Sequence, residues 1–372
     1  MSYRLRLLPL CIAFASLVTV SAHAGDTQDV VRNRSIGYVM TNREWAVYTT
    51  AARTECPHGI NAVGPREWFK AQFPNDGTTR TYLDTAMTFE AEVWAPSGKA
   101  DRRFPLYQAE GNISYGLNLD GKIGRNDFTS PEGEKGIDNQ LYRAIGCLVA
   151  YRDPGALNTS KYMQDFNFSR VVIEITGVDS LTNDDDVTLT TYRGLDSLTV
   201  DAGGSGFLPR GTERVDERFG KELIQHFHGR IKNGILETEA ADVSFAMTWG
   251  LSDVTSFTIR GLRWRLKLTP DSAEGIMAGY ADVDNFYFFL NKVLTTHLQT
   301  YYQLSSLALY PTLRQLADGY PDPKTGRNTA ISSALTVKMK QVFIQHAAQE
   351  TASNDGEHQE ARQTKAEASA AQ

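Results

Sequence analysis

Strict alternation of apolar and polar positions dominates the middle of the chain. Val171, Ile173 and Ile175 fall on one side of Val172 and Glu174, and Val187, Leu189 and Thr191 repeat the pattern beyond a polar stretch from Gly177 to Asp186. A period of two sends successive side chains to opposite faces, so both segments read as strands with one buried face. Asn233-Gly234 is the strongest turn signal, because both residues tolerate the positive φ of a type I′ hairpin. It joins a strand over 224–232 to one over 235–242. A third pair runs over 243–249 and 257–268, where Leu262, Trp264, Leu266 and Leu268 share one face and Arg263, Arg265 and Lys267 the other. Phe257 and Ile259 are out of phase with Leu262, which places a β-bulge near Gly261.

Toward the C-terminus the period changes. From Asp282, the residues Phe286, Leu290, Val293, Leu294, His297 and Tyr301 recur at helical spacing, with Asp282 or Asp284 as cap. A second helix over 311–317 stops at Asp318-Gly319, before Pro321 and Pro323. Ile331 to Ile344 fits helix or strand equally well. Earlier, Asp138 is placed to cap a helix over 139–148 with Leu141, Ile145 and Leu148 as its apolar stripe. The expected fold is mostly β (α+β): an antiparallel β-sandwich or jelly-roll-like core with a C-terminal helical section. The units are a signal peptide (1–24), an N-terminal segment tied to the core (25–80), a β-rich core domain (81–270), a helical section (271–346) and a disordered tail (347–372).

Two further features narrow the compartment. Arg4 and Arg6, the apolar run from Leu7 to Val20 and the small residues of Ala22-His23-Ala24 form a cleavable signal peptide, so the mature chain is expected to be periplasmic or secreted. No other run is apolar for long enough to span a bilayer, so no stable membrane insertion is expected. Cleavage removes two of the 38 basic residues and none of the 44 acidic ones, moving the net charge from −6 to −8. Such a chain lacks the basic footprint of nucleic-acid binding. Cys56 and Cys147 remain, and in an oxidising compartment they read as one disulfide.

Candidate chemistry concentrates between residues 116 and 147. Asn118, Asp120 and Asp127 supply hard oxygens around Gly121, with the Lys122 carbonyl between them and Ile123 placed to anchor the turn. Counted from Gly116 as the first position to Asp127 as the twelfth, the spacing resembles the calcium loops of EF-hands and dockerins. The resemblance implies Ca2+ held by Asn118, Asp120, Lys122 and Asp127. It departs from those families at Gly116, where the first ligand is missing, and in having no second loop, so dockerin partners are not implied. Glu132, Glu134 and Asp138 lie close enough in sequence to compensate. The same residues also make an ordinary Asx turn without an ion.

Other acidic and imidazole groups carry weaker signals. His226 and His228 share a strand face opposite Glu239, a set that suits a two-His-one-carboxylate metal or simple cross-strand pairing. Glu237, Glu239 and Asp242 resemble the acid strand of laminarinase-type glycoside hydrolases, with the second and third acid types exchanged. Asp184 and Asp186 lie in a run of three acids that reads as a solvated turn or a second cation loop. Trp45, Trp68, Trp94, Trp249 and Trp264 serve core packing or sugar stacking. Together these point to a non-catalytic binding or structural module with a calcium-stabilised loop. Its expected partner is an extracellular polysaccharide or another envelope protein. The alternative is a carbohydrate-active hydrolase using Glu237 and Glu239.

Overall fold

The computed structural model describes residues 29–61, 106–152, 164, 170–204, 206–216, 224–249, 253–287 and 306–346. The expected signal peptide and tail lie outside them, as does most of the helical pattern beginning at Asp282. Along the chain come β1 (Ser35–Trp45), the short β2 (Phe128–Thr129) and β3 (Lys135–Ile137), and helix α1 (Gln140–Ile145). Next are β4 (Val171–Thr176), β5 (Asn183–Gly194), β6 (Gly211–Asp216), β7 (Gln225–Lys232), β8 (Ile235–Thr238), β9 (Ala241–Trp249), β10 (Asp253–Leu268) and β11 (Ser272–Asp282). Helix α2 (Ser306–Leu316), β12 (Gly319–Pro321) and β13 (Asn328–Gln345) complete the order.

Eight of these strands close into an antiparallel barrel, which replaces the expected sandwich or jelly roll. Going round, β1, β4, β5, β7, β8, β10, β11 and β13 each pair with the next, and β13 returns to pair with β1. The correction rests on two strands. The stretch read as a helical section supplies β11, and the ambiguous Ile331 to Ile344 lies wholly inside β13. Without them the remaining strands have open edges, and stacking two sheets is the alternative way to bury them.

Local expectations fare better. Asn233 and Gly234 take φ of 53° and 77° between β7 and β8. The register of β10 slips between Arg260 and Arg263 against β11, with Gly261 at φ 60°. That slip brings Ile259, Leu262, Trp264, Leu266 and Leu268 onto one buried face. They meet Tyr38 and Met40 of β1, Ile173 and Ile175 of β4, and Phe227 of β7 in a continuous apolar core. The outer wall of β7 carries exposed His226, His228, Arg230 and Lys232. Apolar inside and charged outside is the reverse of the polarity of a transmembrane barrel. Among the described residues no helix is long and apolar enough to cross a membrane.

The barrel wall is covered in two places. Where β13 begins, α1 and α2 pack on each other and on β13, and Leu141, Ile145, Leu309 and Leu313 join the barrel core. Cys56 and Cys147 form the expected disulfide, with Cα atoms 5.8 Å apart. It ties the strand-leaving segment after β1 to the end of α1. On the chain-entropy account, a loop of this size stabilises by about 4–5 kcal/mol. Around the other side, Val39, Val172 and Val342 point outward and bury Val215 of β6 and Leu198. The excursion between β5 and β7 is thereby held against the outside of the barrel.

Candidate ligand cleft

The excursion is fastened at its root by charge. The Asp196 carboxylate accepts from the Arg214 backbone N–H at 2.7 Å and from its guanidinium at 2.9 and 2.5 Å. These bonds, opposed by partial burial, hold Asp196 below the usual carboxylate range. Its own N–H donates at 3.0 Å to Glu213 Oε1. Glu213 is 1% exposed, and burial pushes its carboxyl up to about 7, against that hydrogen bond and the nearby Arg170 guanidinium. Gly194 lets the strand pass this close, since a Cβ there would meet Glu213 Oε1 at 2.5 Å. At the far end, Arg210 donates its backbone N–H to Gln341 and its Nε to Asp271 at 3.2 Å.

Between the two fastenings the chain turns back on itself. Val200 and Phe207 form an antiparallel bridge around the turn at Asp201 to Gly206. This flap stands off the barrel and leaves a cleft of about 770 Å³. That is within the range of roughly 300–1,000 Å³ typical of small-molecule sites. The cleft floor comes from three barrel strands: Thr41 and Asn42 of β1, Ser272 and Glu274 of β11, and Lys338 and Lys340 of β13. The flap contributes Ser197, Leu198, Val200 and Phe207, and Gln164 closes one side while donating to Thr41 O at 2.9 Å. The chain matches no protein-family model, no characterised protein and no solved structure. What the cleft binds therefore rests on its own chemistry.

The four residues of the calcium-type loop are brought together in one exposed turn system. Asn118 Oδ1 accepts from Gly121 N–H at 2.7 Å, and Asp120 Oδ1 from Lys122 N–H at 2.8 Å. Asp127 Oδ2 accepts from Gly124 N–H, and the Lys122 carbonyl takes the Asn118 amide at 2.8 Å. Glycine stands at the first position because a Cβ there would meet Ile137 Cγ2 at 2.7 Å. Ile123, expected to anchor the turn, is 70% exposed; Leu117 and Leu119 pack the segment against Ala278 and Ala334 on the barrel's outer wall. Asp138 does not cap α1. Its buried carboxylate accepts instead from Leu119 N–H at 2.7 Å and Asp120 N–H at 3.3 Å. Burial raises it to about 6, with those bonds opposing and the charges of Asp120 and Asp127 adding. Among the described residues no group of three His, Cys, Asp or Glu is arranged to hold a metal ion.

Glu237 and Glu239 lie on the outer wall, away from the cleft. Arg265 Nε donates to Glu237 at 2.9 Å, and Arg230 stands 3.9 Å from it, as the hairpin register requires. Glu239 is exposed beyond the end of β8, and Asp242 accepts from Gly261 N–H at 2.7 Å. His226 Nδ1 lies 3.0 Å from Thr190 Oγ1, while Asp184 accepts from Asp179 N–H at 2.6 Å in a closed turn. Trp264 is buried in the core and Trp45 packs edge-on against Phe286 at 5.5 Å. Trp68, Trp94 and the Trp249 side chain lie outside the described residues. Lys338 and Lys340 were missed by sequence reasoning. Their signal is the alternation Val337-Lys338-Met339-Lys340, which marks an outward basic face on a strand.

Proposed function

We propose that the protein is an exported, non-catalytic binding module that holds a glycan in the cleft between its barrel wall and the flap. The observation that carries this reading is the cleft itself, a concave site built on three hydrogen-bonded barrel strands and roofed by a segment fastened at both ends. Sites on strands hold their side chains more tightly than sites on free loops. The lining supports a sugar: hydroxyls and amides from Thr41, Asn42, Gln164, Ser197 and Ser272 alternate with the apolar surfaces of Leu198 and Phe207. Such a mixture pairs with a ring that shows hydroxyls at its edge and C–H groups on its face. Export follows from the N-terminal charge and apolar pattern.

A glycan array probed with the purified protein tests this. The expected result is a small set of related glycans whose signal is lost when Val200→Trp fills the cleft. Retention of the same signal by that variant, with unchanged melting, would place the ligand elsewhere and overturn the reading.

A further inference from the structure

We infer that the cleft selects an anionic glycan, with Lys338 and Lys340 reading its acidic groups. This rests on the binding reading above and names its ligand class. The two lysines alternate on β13, opposite Glu274 and Ser272 of β11, so both project from the outer face of the same strand. Two residues along a strand separate their Cα atoms by roughly 6–7 Å, which sets two ammonium groups side by side along the floor. Neither has a carboxylate within ion-pairing distance among the described residues, although Glu274 is the direct cross-strand neighbour of Lys338. Some cations elsewhere on this wall are paired, as Arg265 is with Glu134 and Glu237, and Arg260 with Asp282, but Lys338 and Lys340 are the two that line the cleft. With two lysines against the single carboxylate of Glu274, the charged groups of the cleft floor sum to a positive charge in a chain whose net charge is −6, which places positive potential where a ligand sits. Glu274 leaves one acceptor on the floor, suited to a sugar hydroxyl beside the acidic groups. The chemistry fits a sugar chain bearing spaced carboxylates or sulfates.

Isothermal titration with three probes decides the matter: trigalacturonate, a sulfated galactotriose and neutral galactotriose. The lysines predict binding of one or both charged probes at one site per chain, at least about tenfold tighter than the neutral one, since a charge-assisted hydrogen bond is stronger than a neutral one. The better of the two charged probes identifies carboxylate or sulfate as the group read. The double substitution Lys338→Ala/Lys340→Ala should bring charged and neutral probes to the same affinity, and Lys338→Arg/Lys340→Arg should restore the difference. Equal binding of all three probes, or an unchanged preference in the alanine variant, overturns the anion inference. If that binding still disappears in Val200→Trp, the cleft reading survives; if it persists there, both fail. No binding of any probe at millimolar concentration also overturns both.

Discussion

Glu213 gives the sharpest test of how the flap is rooted. Its carboxyl is buried and shifted from an ordinary 4.5 to about 7. In the unfolded chain it loses its proton near 4.5, whereas in the fold it keeps it until about 7. The folded state therefore binds the extra proton across that window, and stability falls as pH rises through it. At 1.36 kcal/mol per pH unit the loss is about 3 kcal/mol, complete above pH 7. Glu213→Gln removes the titration and keeps an oxygen for the Asp196 N–H. Urea unfolding of both proteins, followed by tryptophan fluorescence at half-unit steps from pH 4 to 8.5, isolates the effect, because every other titrating group cancels in the difference. The variant should gain on the wild type steadily between pH 4.5 and 7 and hold that gain above it. A flat difference would refute the reasoning. So would a difference of opposite sign, which would mean that the Arg170 cation holds Glu213 ionised in the fold.

Asp138→Asn should keep the bonds from Leu119 and Asp120 and remove a separate loss of stability, which runs from the ordinary 3.8 up to about 6; unfolding at pH 4 and 7 checks it, and an undiminished pH dependence sinks it. Replacing both Cys56 and Cys147 by Ser should lower unfolding stability by about 4 kcal/mol, read from urea midpoints under oxidising conditions. Since one oxygen each of Asn118, Asp120 and Asp127 accepts from a loop amide and so closes the turn without an ion, EDTA should leave the melting temperature unchanged; a fall reversed by calcium would show that an ion completes the loop. Gly275→Ala should destabilise by about 1–3 kcal/mol, because its Cβ would lie 2.0 Å from the Arg265 carbonyl oxygen; a melting temperature equal to wild type would contradict the tight β10–β11 approach.

What could be read from the sequence was local. The hairpin at Asn233-Gly234, the bulge at Gly261 and the strands around Ile173 and Leu189 each depend on neighbouring residues, and all are present. Closure depends on β13, whose period-two signal is erased where it matters. Residues 330–335 are all buried, since the barrel core lies on one side and α1 with the Leu117–Leu119 stretch on the other. Ser332 and Ser333 sit there as partners for Asp318 and the Gly279 carbonyl, polar residues that a strand with one wet face would not bury. The cleft was hidden for a different reason. Its floor joins residues near 41, 273 and 339, which no sequence window contains, whereas the loop at Asn118 to Asp127 is contiguous and so drew attention as a motif.

Closing the ring with β13 also sets the order in which the molecule can be finished. Its contacts reach back to β1, as in the bond from Thr336 to the Glu44 carbonyl across 292 residues. Seven strands can assemble from the N-terminal side and still present two bare edges, at β1 and β11, until that last long strand arrives. Contacts between such distant segments are slow to form, and open edges recruit other chains. The Cys56–Cys147 bond lies entirely upstream of the missing strand and cannot shorten the wait. Truncation before residue 328 should therefore yield an aggregating chain rather than a smaller stable barrel.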